Sequence, residues 1–141
     1  MTSLEYVKML SKLDSRYEII LEAGKFFRPR QVQTRVESYR PKKQSCYYNA
    51  QLLTTFRDLL YYEGWAVTSD FRELPFEHAW NINPRTRRLI DVTWQKKGVD
   101  YFGIQIPAEY IQKHWLKTGV ASDLFSIYVI ENLLPKQEVM K

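Results

Sequence analysis

The sequence predicts an α+β fold in a single domain of 141 residues. Three observations carry this expectation. Up to Gly64, apolar residues recur at three- and four-residue steps in two stretches, the pattern of helices with one buried face. Beyond Gly64 the chain turns to short aromatic and β-branched runs separated by turn residues, the pattern of strands. Hydrophobic residues make up 45% and aromatics 15%, enough to build a core without disulfides.

Composition narrows the setting. Cys46 is the sole cysteine, which excludes an internal disulfide framework and suits a reducing compartment. The start, Met1-Thr2-Ser3-Leu4-Glu5, lacks the basic then apolar pattern of a signal peptide. No run reaches the roughly 18 apolar residues of a membrane span. A cytoplasmic location is expected, with no membrane partner. The net charge of +5 and pI of about 9.3 favour acidic partners and specify none.

In chain order, Leu4, Val7, Leu10, Leu13, Tyr17, Ile20 and Leu21 predict one helix over 4–22, closed by Gly24. Residues 25–43 carry Lys25, Arg28, Arg30, Arg35, Arg40, Lys42 and Lys43 against Glu37, with Phe26, Phe27 and Tyr39 interleaved. That mixture reads either as a nucleic-acid surface or as a solvated connection whose aromatics dock on the core. A second helix is expected from Ser45, its N-cap, to Gly64, with Cys46, Ala50, Leu53, Phe56 and Leu60 on one face. Strands follow at about 65–72, 77–82 and 88–94, then an extended run 99–107, a helix over 108–117 and a last strand over 124–130. The organisation is an N-terminal helix and basic connection (1–43), a core (44–130) and a tail (131–141) that is expected to fray from Pro135.

The residues that carry chemistry are a thiol, an imidazole and a carboxylate, in that chain order. Cys46 sits on the first turn of its helix, where unpaired N–H groups and the positive dipole end favour a thiolate and can hold an oxyanion. The segment Asn83-Pro84-Arg85-Thr86 is a turn signal. With that loop, Ile82 pairs with Arg87, Asn81 with Arg88, Trp80 with Leu89, Ala79 with Ile90, and His78 with Asp91. Directly opposed residues project to one face with Cβ atoms about 4.5–5.5 Å apart. Mutual pairing would offset the cost of burying two ionisable groups. His114, with no carboxylate within a helical turn, reads as structural or surface. One cysteine and two distant histidines do not form a zinc site by spacing, so neither metal nor cofactor is expected.

The ordered set Cys46-Tyr47-Tyr48-Asn49-Ala50, His78-Ala79-Trp80-Asn81 and Asp91-Val92-Thr93-Trp94 resembles the transglutaminase-like branch of the papain-like cysteine enzymes. Tyr101-Phe102-Gly103-Ile104 with Ile106-Pro107 is similar to what small bacterial and phage members carry. The resemblance spans roughly residues 44–130. It implies a helix packed on an antiparallel sheet, with the nucleophile at the helix start. It implies Cys46 as nucleophile, His78 as base and acid, and Asp91 as the orienting group.

The function expected is acyl transfer from an amide or ester, of protein or peptide type, through a thioester on Cys46. Water as acceptor makes a hydrolase, and an amine makes a transferase. Gln44, by proximity, is the side-chain candidate for the oxyanion. Trp80 and Trp94 either wall the substrate site or are core aromatics. The alternative is a non-catalytic binding protein on the same scaffold, engaging an acidic protein or nucleic acid through residues 25–43 and Arg85, Arg87 and Arg88.

Overall fold

The computed structural model describes residues 1–135. In chain order the elements are α1 (Ser3–Leu13), α2 (Arg16–Ala23), β1 (Lys25–Phe27), α3 (Cys46–Arg57), β2 (Leu60–Thr68), β3 (Phe76–Ile82), β4 (Leu89–Ile90), β5 (Gly98–Gln105), α4 (Ala108–Thr118) and α5 (Phe125–Tyr128). The strands form one antiparallel sheet in the order β1-β5-β2-β3-β4. The fold is therefore α+β, as expected. No helix among the described residues is long and apolar enough to cross a membrane.

The first predicted helix is two. A capping box opens α1, with Thr2 Oγ1 accepting the Glu5 N–H at 3.0 Å and Glu5 Oε1 accepting the Thr2 N–H at 2.7 Å. Asp14 then turns extended (φ −147°, ψ 113°), and its carboxylate accepts the Arg16 N–H and pairs with the guanidinium. An aspartate satisfies a new helix start better than it continues an old one. Gly24 does close α2. The segment after it contributes β1, which pairs with β5, where a plain connection was expected.

The central helix is shorter than its periodicity suggests. Ser45 occupies the N-cap position, but its hydroxyl faces Lys43 O at 3.2 Å and makes no cap bond. Asp58 adopts the left-handed conformation (φ 56°, ψ 35°) and ends α3 at Arg57. The apolar stripe runs on through Leu59 and Leu60, yet from Leu60 the chain is strand. Gly64 is therefore no helix terminator. It sits mid-strand, paired with Gly103, where a Cβ would lie 2.0 Å from the Phe102 carbonyl oxygen.

The hairpin differs from its expected register by two residues. Asn83 Oδ1 accepts the N–H groups of Arg85 and Thr86, which lengthens the loop, and Ile82 pairs with Leu89 and Asn81 with Ile90. A slip of two preserves the face, whereas a slip of one inverts it. His78 and Asp91 thus share a face as diagonal neighbours, and are not directly opposed. The returning strand is also brief, since Asp91 already leads into a turn.

The expected last strand over 124–130 is helical: α5 is followed by a π-helical turn, Val129–Leu133. Its aromatic and β-branched content is overridden by Glu63, buried in β2, which accepts the N–H groups of Leu124 and Phe125. A ladder strand would leave that carboxylate without these donors. The tail expectation beyond Pro135 lies outside the described residues.

Both faces of the sheet are covered. Tyr61, Trp65, Ala79, Phe102 and Ile104 pack with residues of α1, α2, α3, α4 and the Leu124–Val129 segment. On the other face Tyr62, Ala66, Trp80 and Tyr101 are closed over by Phe27, Val32 and Trp94. A third cluster joins Leu53 of α3 to Ile90 and Val92.

Candidate active site

Four chain segments converge on one cleft of about 970 Å³, whose walls include Gln44, Cys46, Thr68, Phe76, His78 and Trp94. Cys46 is the first residue of α3 and is half-buried. Its position is fixed from behind by Asn49, one turn on and fully buried. Asn49 Oδ1 accepts from the Tyr39 hydroxyl and the Lys42 N–H, and its amide donates to Lys42 O and Thr93 Oγ1, each within 2.9 Å. One side chain thereby ties the 39–42 segment, α3 and the turn after Asp91 together.

His78 lies on β3 opposite Gly64 and is 1% exposed. Its Nε2 is 2.8 Å from Asp91 Oδ2. Cys46 lines the same cleft and is among the groups that act on the imidazole. Burial alone would lower the imidazole pKa. The adjacent Asp91 carboxylate outweighs it, with Cys46 adding, and the net effect pushes His78 up to about 9. At neutral pH the ring is therefore cationic.

Asp91 is saturated with donors. Its Oδ1 accepts the Trp94 N–H at 3.0 Å, and its Oδ2 accepts the Tyr101 hydroxyl at 2.8 Å besides facing His78. Its own N–H donates to Gln33 O at 2.9 Å. The Trp94 ring stacks on the imidazole at 3.7 Å between centroids and 17° between planes. Phe76 meets Trp94 edge-on at 6.4 Å, and Phe71 meets Phe76 at 5.8 Å, so a run of aromatic rings leads from Phe71 to His78.

The structure thus brings Cys46, His78 and Asp91 together, with Trp94 and Gln44 on the same cleft. Gln44 is exposed and holds a left-handed backbone (φ 55°) immediately before α3. Trp80 does not line the cleft. It is a core residue, 1% exposed, packed on Tyr62 and Tyr101, with its Nε1 buried and without a partner. His114 is half-buried, 3.5 Å from Ser122 Oγ and remote from the cleft lining. Among the described residues no cluster of three or more His, Cys, Asp or Glu side chains could hold a metal ion.

Comparison with protein-family models, curated proteins and solved structures matched none of them to this chain.

Two features escape the sequence reading. Tyr101 follows Asp91 by ten residues, but β5 lies beyond β2 and β3 from β4, so no local pairing announces the contact. The second is Glu63, 1% exposed, which accepts the Tyr61 hydroxyl at 2.5 Å. Tyr61 in turn accepts from Gln51, which also bonds Ser122 O and the Trp115 indole N–H. Burial pushes Glu63 up to about 7, opposed by the donors from Tyr61, Leu124 and Phe125 and aided by Asp123. The available signal was Glu63 itself, a charge inside an otherwise apolar strand.

Proposed function

We propose that the protein is a cysteine-dependent acyl-transfer enzyme of transglutaminase-like type, with a papain-like placement of the nucleophile at the start of α3. The observation that carries this reading is a buried imidazole paired with Asp91 at a cleft that Cys46 also lines. A buried carboxylate fixes the tautomer and orientation of the ring, and the ring's second nitrogen exchanges a proton with sulfur.

The chemistry follows in balanced steps. The reactive form is a thiolate–imidazolium pair, in which His78 already holds the proton that Cys46 has given up. Sulfur attacks the carbonyl carbon of an amide or ester of a protein or peptide, and the carbonyl oxygen takes the negative charge. The N–H groups at the start of α3, with Gln44 beside them, are the donors for that oxyanion. As the tetrahedral species collapses, the C–N or C–O bond breaks and His78 protonates the leaving amine or alkoxide. The thioester is then attacked by water or an amine, which gives its proton to His78 as the thiolate departs.

The test is acylation of the protein by p-nitrophenyl acetate, followed by intact mass and by iodoacetamide alkylation at pH 6. An adduct on Cys46 that hydroxylamine releases, and alkylation well above that of a free thiol, are expected. Both should be lost in His78→Gln. Alkylation at the free-thiol rate, unchanged in His78→Gln, would sink the reading.

A further inference from the structure

Away from the cleft, a second concavity of about 540 Å³ opens between the start of the 28–33 segment and the hairpin tip. Arg28 and Arg30 line it from one side, Arg87 and Arg88 from the other. All four are exposed, and no carboxylate lines the groove. Among the described residues none of the four makes an ion pair. Glu5, whose carboxylate is held low by its bonds to Thr2, feels Arg28 only as the least of several influences.

The groove is built, not incidental. The Gln33 N–H donates to Leu89 O and the Asp91 N–H to Gln33 O, both at 2.9 Å, so the 28–33 segment is clamped onto β4. Pro29 stiffens the link between the two arginines of that arm. On the other arm Arg87 holds a left-handed backbone (φ 66°), fixed by its N–H to Asn83 O at 2.8 Å, while the Asn83 N–H bonds Arg88 O at 2.9 Å. Four like charges held in one concavity repel each other, and no carboxylate in the groove lining offsets them.

We propose that this arginine groove binds the phosphate backbone of a nucleic acid. The guanidinium fork matches phosphate oxygens, and every charged residue in the lining is arginine. A protein partner would look for an apolar centre within a polar rim. The groove offers none: its apolar residues, Phe26, Phe27 and Leu89, are half-buried or buried, and the large exposed apolar side chains lie elsewhere. The surface is separate from the Cys46 cleft, and the inference does not depend on thiol chemistry.

The test is fluorescence anisotropy of the full chain with a labelled oligothymidylate, with the duplex form and a poly-glutamate peptide as competitors. The groove variant is Arg28→Gln/Arg30→Gln/Arg87→Gln/Arg88→Gln. The control, Lys12→Gln/Arg72→Gln/Lys113→Gln/Lys117→Gln, removes the same charge from exposed sites outside the groove. Wild type is expected to bind with a log–log salt slope of about −3, since single strands lose about 0.7 per neutralised phosphate. The groove variant should lose at least about tenfold in affinity and most of that slope, and the control less than about threefold. The pair Arg28→Gln/Arg30→Gln, outside the turn, should weaken binding several-fold with an unchanged melting temperature. Equal losses in both quadruple variants, no binding at low salt, or poly-glutamate outcompeting either nucleic acid would each overturn the proposal.

Discussion

Tyr101 donates its hydroxyl to the same Asp91 oxygen that faces His78 Nε2, and both distances are 2.8 Å. The carboxylate is thereby held from β5 as well as from its own turn, and its direction toward the imidazole is set by a strand three places from β4 in the sheet. Tyr101 is a positioning residue. Tyr101→Phe keeps the ring's volume and removes one donor, so stability should drop by about 1–2 kcal/mol. Acylation should slow by less than about tenfold if Asp91 keeps its charge. The pH midpoint of Cys46 alkylation should stay in place. A shifted midpoint with unchanged stability would contradict this role.

Asp91→Asn is the complementary change. It keeps shape, but an amide can present an N–H to Nε2 and favour the wrong tautomer, so acylation should fall by about four orders of magnitude. Alkylation of Cys46 should move to higher pH, because the imidazolium partner loses its counter-charge. A lowered melting temperature with an unmoved alkylation profile would instead make Asp91 purely structural.

His78 gives stability a direction in pH. Its folded pKa is raised from 6.5 to about 9, so the folded state holds a proton that the unfolded chain has released within that window. The stabilisation is complete below about pH 6.5 and is lost as pH rises through about 9, a change of a few kcal/mol. Urea titrations across this range should show falling stability in wild type and a flatter line in Asp91→Asn. Equal slopes would show that Asp91 does not hold the proton on His78.

Glu63 acts in a lower window with the same sign. Its carboxyl is raised from 4.5 to about 7, so stability should decline as pH rises between those values. Glu63→Gln removes the titration and should flatten the line there. An undiminished slope in the variant would assign it to other groups.

Gly64→Ala tests how tightly the site's sheet is closed. The added Cβ would meet the Phe102 carbonyl oxygen at 2.0 Å and Gly103 Cα at 2.5 Å, both backbone. Relief requires β2 and β5 to part, at a cost of about 2–3 kcal/mol or more. Because Gly64 pairs with His78, alkylation of Cys46 should slow as well. Wild-type stability in this variant would show that the strands are less closely apposed.

The sequence made much of the site legible because its three groups lie at positions that local rules describe. Cys46 opens a helix, and His78 and Asp91 flank a turn. The register differs by two from what the turn signal implies because Asn83 builds a longer loop with its own side chain, but strand alternation keeps both residues on one face. What local rules miss is long-range. The chain leaves α3 at Asp58 despite a continuing apolar stripe, because β2 gains two neighbouring strands. The 124–130 segment coils because a carboxylate about sixty residues earlier takes its N–H groups. Tyr101 and Trp80 exchange the prominence the sequence would assign them, since only the sheet order decides which aromatic reaches Asp91.

The stacking of Trp94 on His78 has a spectroscopic consequence. A protonated imidazole in face contact with an indole drains its excited state, while the neutral ring does so far less. Trp94 emission should therefore brighten as His78 loses its proton. Trp65, Trp80 and Trp115 add a background that Trp94→Phe would define by subtraction. The chain carries its own optical gauge of the charge on its central imidazole, readable without label, substrate or inhibitor.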